Sequence, residues 1–213
     1  MRRLALFVQL IFAAVTSLCA PQRGSAQTIG ATSPAPWGLF SARYDSRSAD
    51  FIYAVYGYGH TFAMVGALQN PRSGFTELLG ALGRTFAPGG GPTQSMAVGA
   101  ARSDSVWYAQ LYVLPSVTIG LVALRATTEL DVPVSRGGVL QFGVSPLSLT
   151  TGIAARTELG LALDLAAADG QATTSALGPE LRLTLPGAVL GVDLQRTLGG
   201  HAGRVRLFFM TQF

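Results

Sequence analysis

Two histidines, His60 and His201, are the side chains of this sequence best suited to move a proton near neutral pH. A hydrolase needs such a base within reach of a nucleophile and an orienting carboxylate. His60 is followed by Thr61 and Phe62, and His201 by Ala202 and Gly203, so neither stands beside a Ser, Asp or Glu at a spacing that forms a recognisable triad. No catalytic residue is assigned. Metal chemistry is no better served: Cys19 is the single cysteine, no His-x-x-x-His occurs, and Asp45, Asp50, Asp104, Glu129 and Asp131 lack the regular spacing of a calcium loop. The glycine run at 89–92 has no lysine after it, which makes it a turn rather than a phosphate cradle. No metal and no cofactor is expected. One charged constellation stands out, made of Arg156, Glu158, Asp164, Glu180, Arg182, Asp193 and Arg206, with Arg204 close by. Mixed signs on neighbouring segments suit cross-strand ion pairs, which either brace a wall or line a solute path.

The elements that carry these charges have a period of two. In RVRLFFMTQF, residues 204–213, one face takes Val205, Leu207, Phe209, Thr211 and Phe213, and the other takes Arg204, Arg206, Phe208, Met210 and Gln212. Residues 151–164 set Leu159, Leu161 and Leu163 against Arg156, Glu158 and Asp164; 174–185 set Leu177, Leu181 and Leu183 against Glu180 and Arg182; 188–197 set Leu190, Val192 and Leu194 against Asp193 and Gln195. Such alternation marks half-buried strands. A helix over 151–164 would scatter its leucines around the axis and give the charges no common face. Pro and Gly punctuate the runs: Leu114-Pro115-Ser116, Ser145-Pro146-Leu147 and Leu185-Pro186-Gly187 read as short turns, and 45–50, 69–74, 129–137, 167–173 and 198–203 as longer polar ones. The expected strands are 37–45, 50–58, 60–68, 75–86, 95–102, 105–114, 116–128, 137–145, 148–164, 174–185, 188–197 and 204–213. That makes twelve, or ten if the segments around Gly57 and Thr150 merge with their neighbours.

Composition says what surrounds these strands. Hydrophobic residues make up 49% of the chain and charged residues 12%, half the usual charged share of a soluble domain; mean hydropathy is +0.38. Beyond the leader no apolar run reaches the length of a spanning helix, about 18 residues. A chain so apolar without such helices can close a sheet into a barrel, which pairs every backbone amide and leaves no edge in lipid. The net charge of +4 comes from dispersed arginines, with no basic run, so a nucleic-acid partner is excluded. At the N-terminus, Arg2 and Arg3 precede the apolar stretch 4–20 and then Gly24-Ser25-Ala26. That order predicts a signal peptide over 1–26, cut after Ala26, followed by a short periplasmic segment at 27–36 and a barrel over 37–213.

Leader, two-face strands and the aromatic last strand together resemble the outer-membrane β-barrel proteins of Gram-negative bacteria. The resemblance spans residues 37–213 at the level of architecture and points to no subfamily. It implies an all-β, antiparallel up-and-down transmembrane barrel in the cell outer membrane. It also implies an assembly signal in Val205, Leu207, Phe209, Thr211 and Phe213, with Thr211 less apolar than that class usually shows. The partners it implies are outer-membrane lipid and the barrel-assembly machinery. The function expected is structural, or that of a narrow passive pore whose lumen is charged by the constellation above. The alternatives are a lipid-modifying barrel enzyme using His60 or His201, and a secreted soluble β-sandwich that binds a partner.

Overall fold

Alternation at this density builds one sheet. The computed structural model describes residues 36–86, 92–200 and 202–213. The expected signal peptide over 1–26, residues 27–35 of the expected periplasmic segment 27–36, Cys19 and His201 lie outside the described residues; Pro36 already belongs to the first strand. Twelve strands follow one another: β1 Pro36–Asp45, β2 Asp50–Tyr58, β3 Thr61–Asn70, β4 Phe75–Phe86, β5 Thr93–Ser103, β6 Val106–Ile119, β7 Val122–Pro133, β8 Gln141–Ala154, β9 Thr157–Ala168, β10 Thr174–Leu185, β11 Ala188–Thr197 and β12 Gly203–Gln212. Each is hydrogen-bonded to the next, and β12 returns to β1, so the sheet is a closed barrel. The seam is antiparallel, with Leu39 opposite Gln212 and Asp45 opposite Arg206. One closed ring replaces the two packed sheets of the sandwich alternative. It also settles the strand number at twelve rather than ten.

Two boundaries differ from the sequence reading. Pro115 and Pro146 are not turn residues; they lie inside β6 and β8. The real turns come later, at Gly120-Leu121 and at Ala155-Arg156. Proline lacks an N–H, so it survives in a strand where the ladder is already broken. The β7–β8 register shifts between Ala126 and Thr128, and the β8–β9 register between Val144 and Leu147, on either side of Pro146. The β6–β7 ladder passes from Val113 opposite Thr128 to Ser116 opposite Arg125 without pairing Leu114 or Pro115. Gly120 and Gly187, at φ of 60° and 73°, take left-handed turn positions that a side chain disfavours. The segment expected as one strand over 148–164 is therefore two strands joined by the tight turn at Arg156.

The outer face is apolar. Leu78, Leu82, Val98, Leu161, Leu181 and Leu194 are exposed on it, where water would make them a liability and lipid would not. The aromatics divide. Tyr56, Tyr58, Phe86 and Phe213 are exposed near the end that carries both chain termini, and Trp107 and Phe142 near the other. Two outward arginines sit beside these rings: Arg84 at 5.8 Å from the Phe86 centroid and Arg102 at 5.9 Å from that of Trp107. Trp37, Phe51, Tyr53, Tyr108 and Tyr112 face inward instead. Trp37 lies against Gly57, where an added Cβ would come within 2.3 Å of the indole, and its Nε1 donates to Gly59 O at 3.1 Å. Trp37→Phe should lose that bond at a cost of about 0.5–1.5 kcal/mol, read as a small fall in the urea midpoint of the barrel in lipid vesicles.

Candidate functional site

Parity decides which side chains meet. On β9 to β12 most outward positions are leucine or valine, and most charged side chains of these strands lie on the inward ones. Asp193 and Arg206 are directly opposite on β11 and β12. Arg206 is the hub of the inner wall and is 1% exposed. Its NH1 donates to Asp164 Oδ2 at 2.7 Å and to Ser145 Oγ at 3.1 Å, while NH2 and Nε donate to Asp193 Oδ2 at 2.7 and 3.0 Å. Arg204 extends the network to Asp164 and Gln195 and lies 3.6 Å from Asp45 Oδ2. Lower in the wall, Arg182 pairs with Glu180, whose carboxylate also accepts from Ser148, and its guanidinium stacks 4.9 Å from the Phe208 centroid. Arg125 grips Glu158 with two bonds of 3.0 and 3.2 Å, and Thr150 donates to the same carboxylate at 2.6 Å.

Six residues of the sequence-read constellation therefore sit inside the barrel: Glu158, Asp164, Glu180, Arg182, Asp193 and Arg206. Arg156 does not. It occupies the exposed β8–β9 turn, because the alternation was read through a turn of two residues that preserves apparent parity. The reading also missed Arg43 and Asp45 on β1, Arg125, Glu129 and Asp131 on β7, and Glu77 on β4, all of which face inward. The signal was present on β7, where Arg125, Glu129 and Asp131 alternate with Leu124, Leu130 and Val132. Starting a loop at Glu129 hid it; the strand runs on to Pro133.

The missed acids form a second centre. Gln110 Nε2 donates to Glu129 at 2.9 Å, to Asp131 at 3.0 Å and to Glu77 at 3.4 Å, and Tyr112 Oη donates to Glu129 at 2.7 Å. Gln110 is on β6, which stands across the ring from β12. The lumen thus has an acid-rich cluster on β4–β7 facing an arc on β9–β12 and β1 where arginines and carboxylates are interleaved. Tyr112→Phe should cost about 1.5–3 kcal/mol, the worth of one hydrogen bond to a carboxylate, measurable in the same vesicle unfolding assay.

On β12 the odd positions Val205, Leu207, Phe209, Thr211 and Phe213 share the outward face by parity; Val205 and Phe213 are exposed on it, whereas Phe209 and Thr211 are buried. Thr211, the less apolar member, donates its hydroxyl to Gly187 O at 2.7 Å, tying the strand to the β10–β11 turn. Phe213 and Gly38 exchange two backbone bonds of 2.7 and 3.0 Å, and the Phe213 ring fills the space where a Gly38 side chain would stand. His60 lies exposed at the β2–β3 turn. Among the described residues no group of three or more His, Cys, Asp or Glu is placed to hold a metal ion.

A closed antiparallel ring with a leucine-rich exterior and a charged interior defines an outer-membrane-type β-barrel. Solved barrels of that class superpose on it. The KdgM porin in complex with disordered oligogalacturonate matches at TM-score 0.60 and 7% identity, over 83% of this chain and 99% of that one. The NanC porin matches at TM-score 0.56 and 10% identity, over 82% and 98%. The COG4313 outer membrane channel from Pseudomonas putida F1 matches at TM-score 0.53 and 12% identity, over 90% and 100%. At such identities the likeness is one of fold. No protein-family model and no curated protein matches the chain.

Proposed function

We propose that the chain is an integral outer-membrane barrel forming a narrow passive pore with a charged lumen, and that it is not an enzyme. The observation that carries this is the separation of faces. Asp45, Glu77, Glu129, Asp131, Glu158, Asp164, Glu180 and Asp193 point inward with Arg43, Arg125, Arg182, Arg204 and Arg206, while leucine and valine cover the outside. An arginine facing lipid at mid-depth costs about 2–4 kcal/mol, so this pattern belongs to a wall with hydrocarbon on one side and water on the other. Buried polar atoms support the wet side. Arg43 Nε, Gln110 Oε1, Arg125 Nε, Asp164 Oδ1 and Asp193 Oδ1 have no protein partner, and all belong to inward residues. Left dry, each would cost about 1–3 kcal/mol. The leader 1–26 fits export and removal before assembly, and the outward side chains of β12 fit a signal read by the assembly machinery.

Planar-bilayer recording on the refolded barrel tests the pore. Discrete conductance steps are expected. A barrel that shifts mobility between heated and unheated gel samples yet passes no current at any voltage would remove the pore and leave a structural role.

A further inference from the structure

The lumen encloses a cavity of about 200 Å³ lined from β1–β3, β5–β8 and β10–β12. Much of its lining is apolar, with Phe51, Phe62, Met64 and Leu114 among the side chains that form it. A path for hydrated ions gains nothing from such a lining, whereas an apolar cavity of even about 150 Å³ takes up a benzene-sized guest. One edge of the cavity carries Arg43, Arg182 and Arg206, with Asp193 as the carboxylate among them. The Arg43 guanidinium lies 5.7 Å from the Phe51 centroid and donates to Ser145 Oγ at 3.2 Å. Arg125, Arg182, Arg204 and Arg206 each hold a carboxylate. Among the described residues, Arg43 is the inward arginine that has none within ion-pair distance, and its Nε is buried without a protein partner. Ser145 also accepts from Arg206 at 3.1 Å, so two guanidiniums converge on one hydroxyl and only Arg206 forms direct ion pairs.

The wall is shaped for this. The ladder breaks at Leu114 and Pro115, at Ala126 and Thr127, and at Ser145 and Pro146, and all six residues border the cavity. Bulges re-aim side chains, and this one sets Ser145 inward beside Arg43.

From cavity, unpaired cation and bulge we infer that the lumen contains a binding site for a small monocarboxylate with an apolar body. The carboxylate bonds to Arg43, and the body packs on Phe51, Phe62, Met64 and Leu114. The acid-rich cluster across the lumen disfavours a second negative charge on the guest. This rests on the pore reading and gives it a substrate class.

Calorimetric titration of the barrel in phosphatidylcholine vesicles, with protein-free vesicles subtracted, tests the site without any current. Benzoate is the probe and benzamide its neutral counterpart. Saturable benzoate binding is expected, with benzamide at least about tenfold weaker, the worth of a charge-assisted bond. Arg43→Gln should bring benzoate down to the benzamide level. Equal binding of the two probes, no binding of either, or benzoate affinity unchanged in Arg43→Gln would overturn the site. The comparison of probes on the unaltered barrel stands even if the variant does not fold. A barrel that conducts but ignores benzoate loses the site and keeps the pore; one that binds benzoate without conducting loses the pore alone.

Discussion

Arg206→Met should destabilise the barrel by about 3–5 kcal/mol, the usual cost of stripping one partner from a buried ion network. Methionine is similar in length and would fill much of the space, so packing is not the main loss. What remains is Asp193 on β11, 2% exposed, and Asp164 on β9, 7% exposed, with one guanidinium fewer between them. Arg204 still reaches Asp164, which leaves Asp193 the more stranded of the two. The expected readout is a large drop in the urea midpoint in lipid vesicles and a smaller heat-resistant fraction on gels. Arg206→Met combined with Asp193→Leu should recover part of the loss, because an unpaired buried carboxylate is worse than an apolar pair of like volume. A single variant within about 1 kcal/mol of the parent would mean that lumen water already solvates these charges, and that the network braces nothing.

The second expected result concerns the outer face. Leu181 is outward near the middle of β10, and the next residue, Arg182, is inward and 6% exposed. Leu181→Arg places the same side chain one position along, on the opposite face, and should cost about 2–4 kcal/mol in a bilayer. Thr127→Arg, inward at the cavity, is its control and should cost much less, because lumen positions tolerate charge. Equal costs for the two would contradict the assignment of lipid to the leucine face. The comparison uses one side chain at two positions, so differences in helix or strand preference of the residue itself cancel.

The late strands were legible residue by residue. Leu177, Leu181 and Leu183 against Glu180 and Arg182 already separate the two faces of β10, because a pleated strand turns successive side chains to opposite sides. The same rule places Asp193 and Arg206 inward without coordinates. Proline misled the reading at Pro115 and Pro146, since a missing N–H is as well accommodated by a broken ladder as by a turn. Arg156 was misplaced for a related reason: Ala155-Arg156 forms a turn of even length, and even turns leave the alternation uninterrupted. Arg43 and Asp45 were lost to the neighbouring polar loop at 46–49, where local composition outweighed parity.

By itself the sequence determined the all-β architecture and, for most of the second half, which side chain faces which way. Those are local properties, set by period two and by the pleat. Only the tertiary structure decided which charges meet. Arg206 on β12 binds Asp164 on β9, three strands away, Arg125 on β7 binds Glu158 on β9, and Arg43 on β1 reaches Ser145 on β8 across the interior. The acid cluster of β4–β7 faces the ion-pair network of β9–β12 and β1 because the ring closes β12 onto β1. Distances across a barrel depend on strand tilt and stagger, which are fixed by closure of the whole sheet and written in no single stretch of the chain.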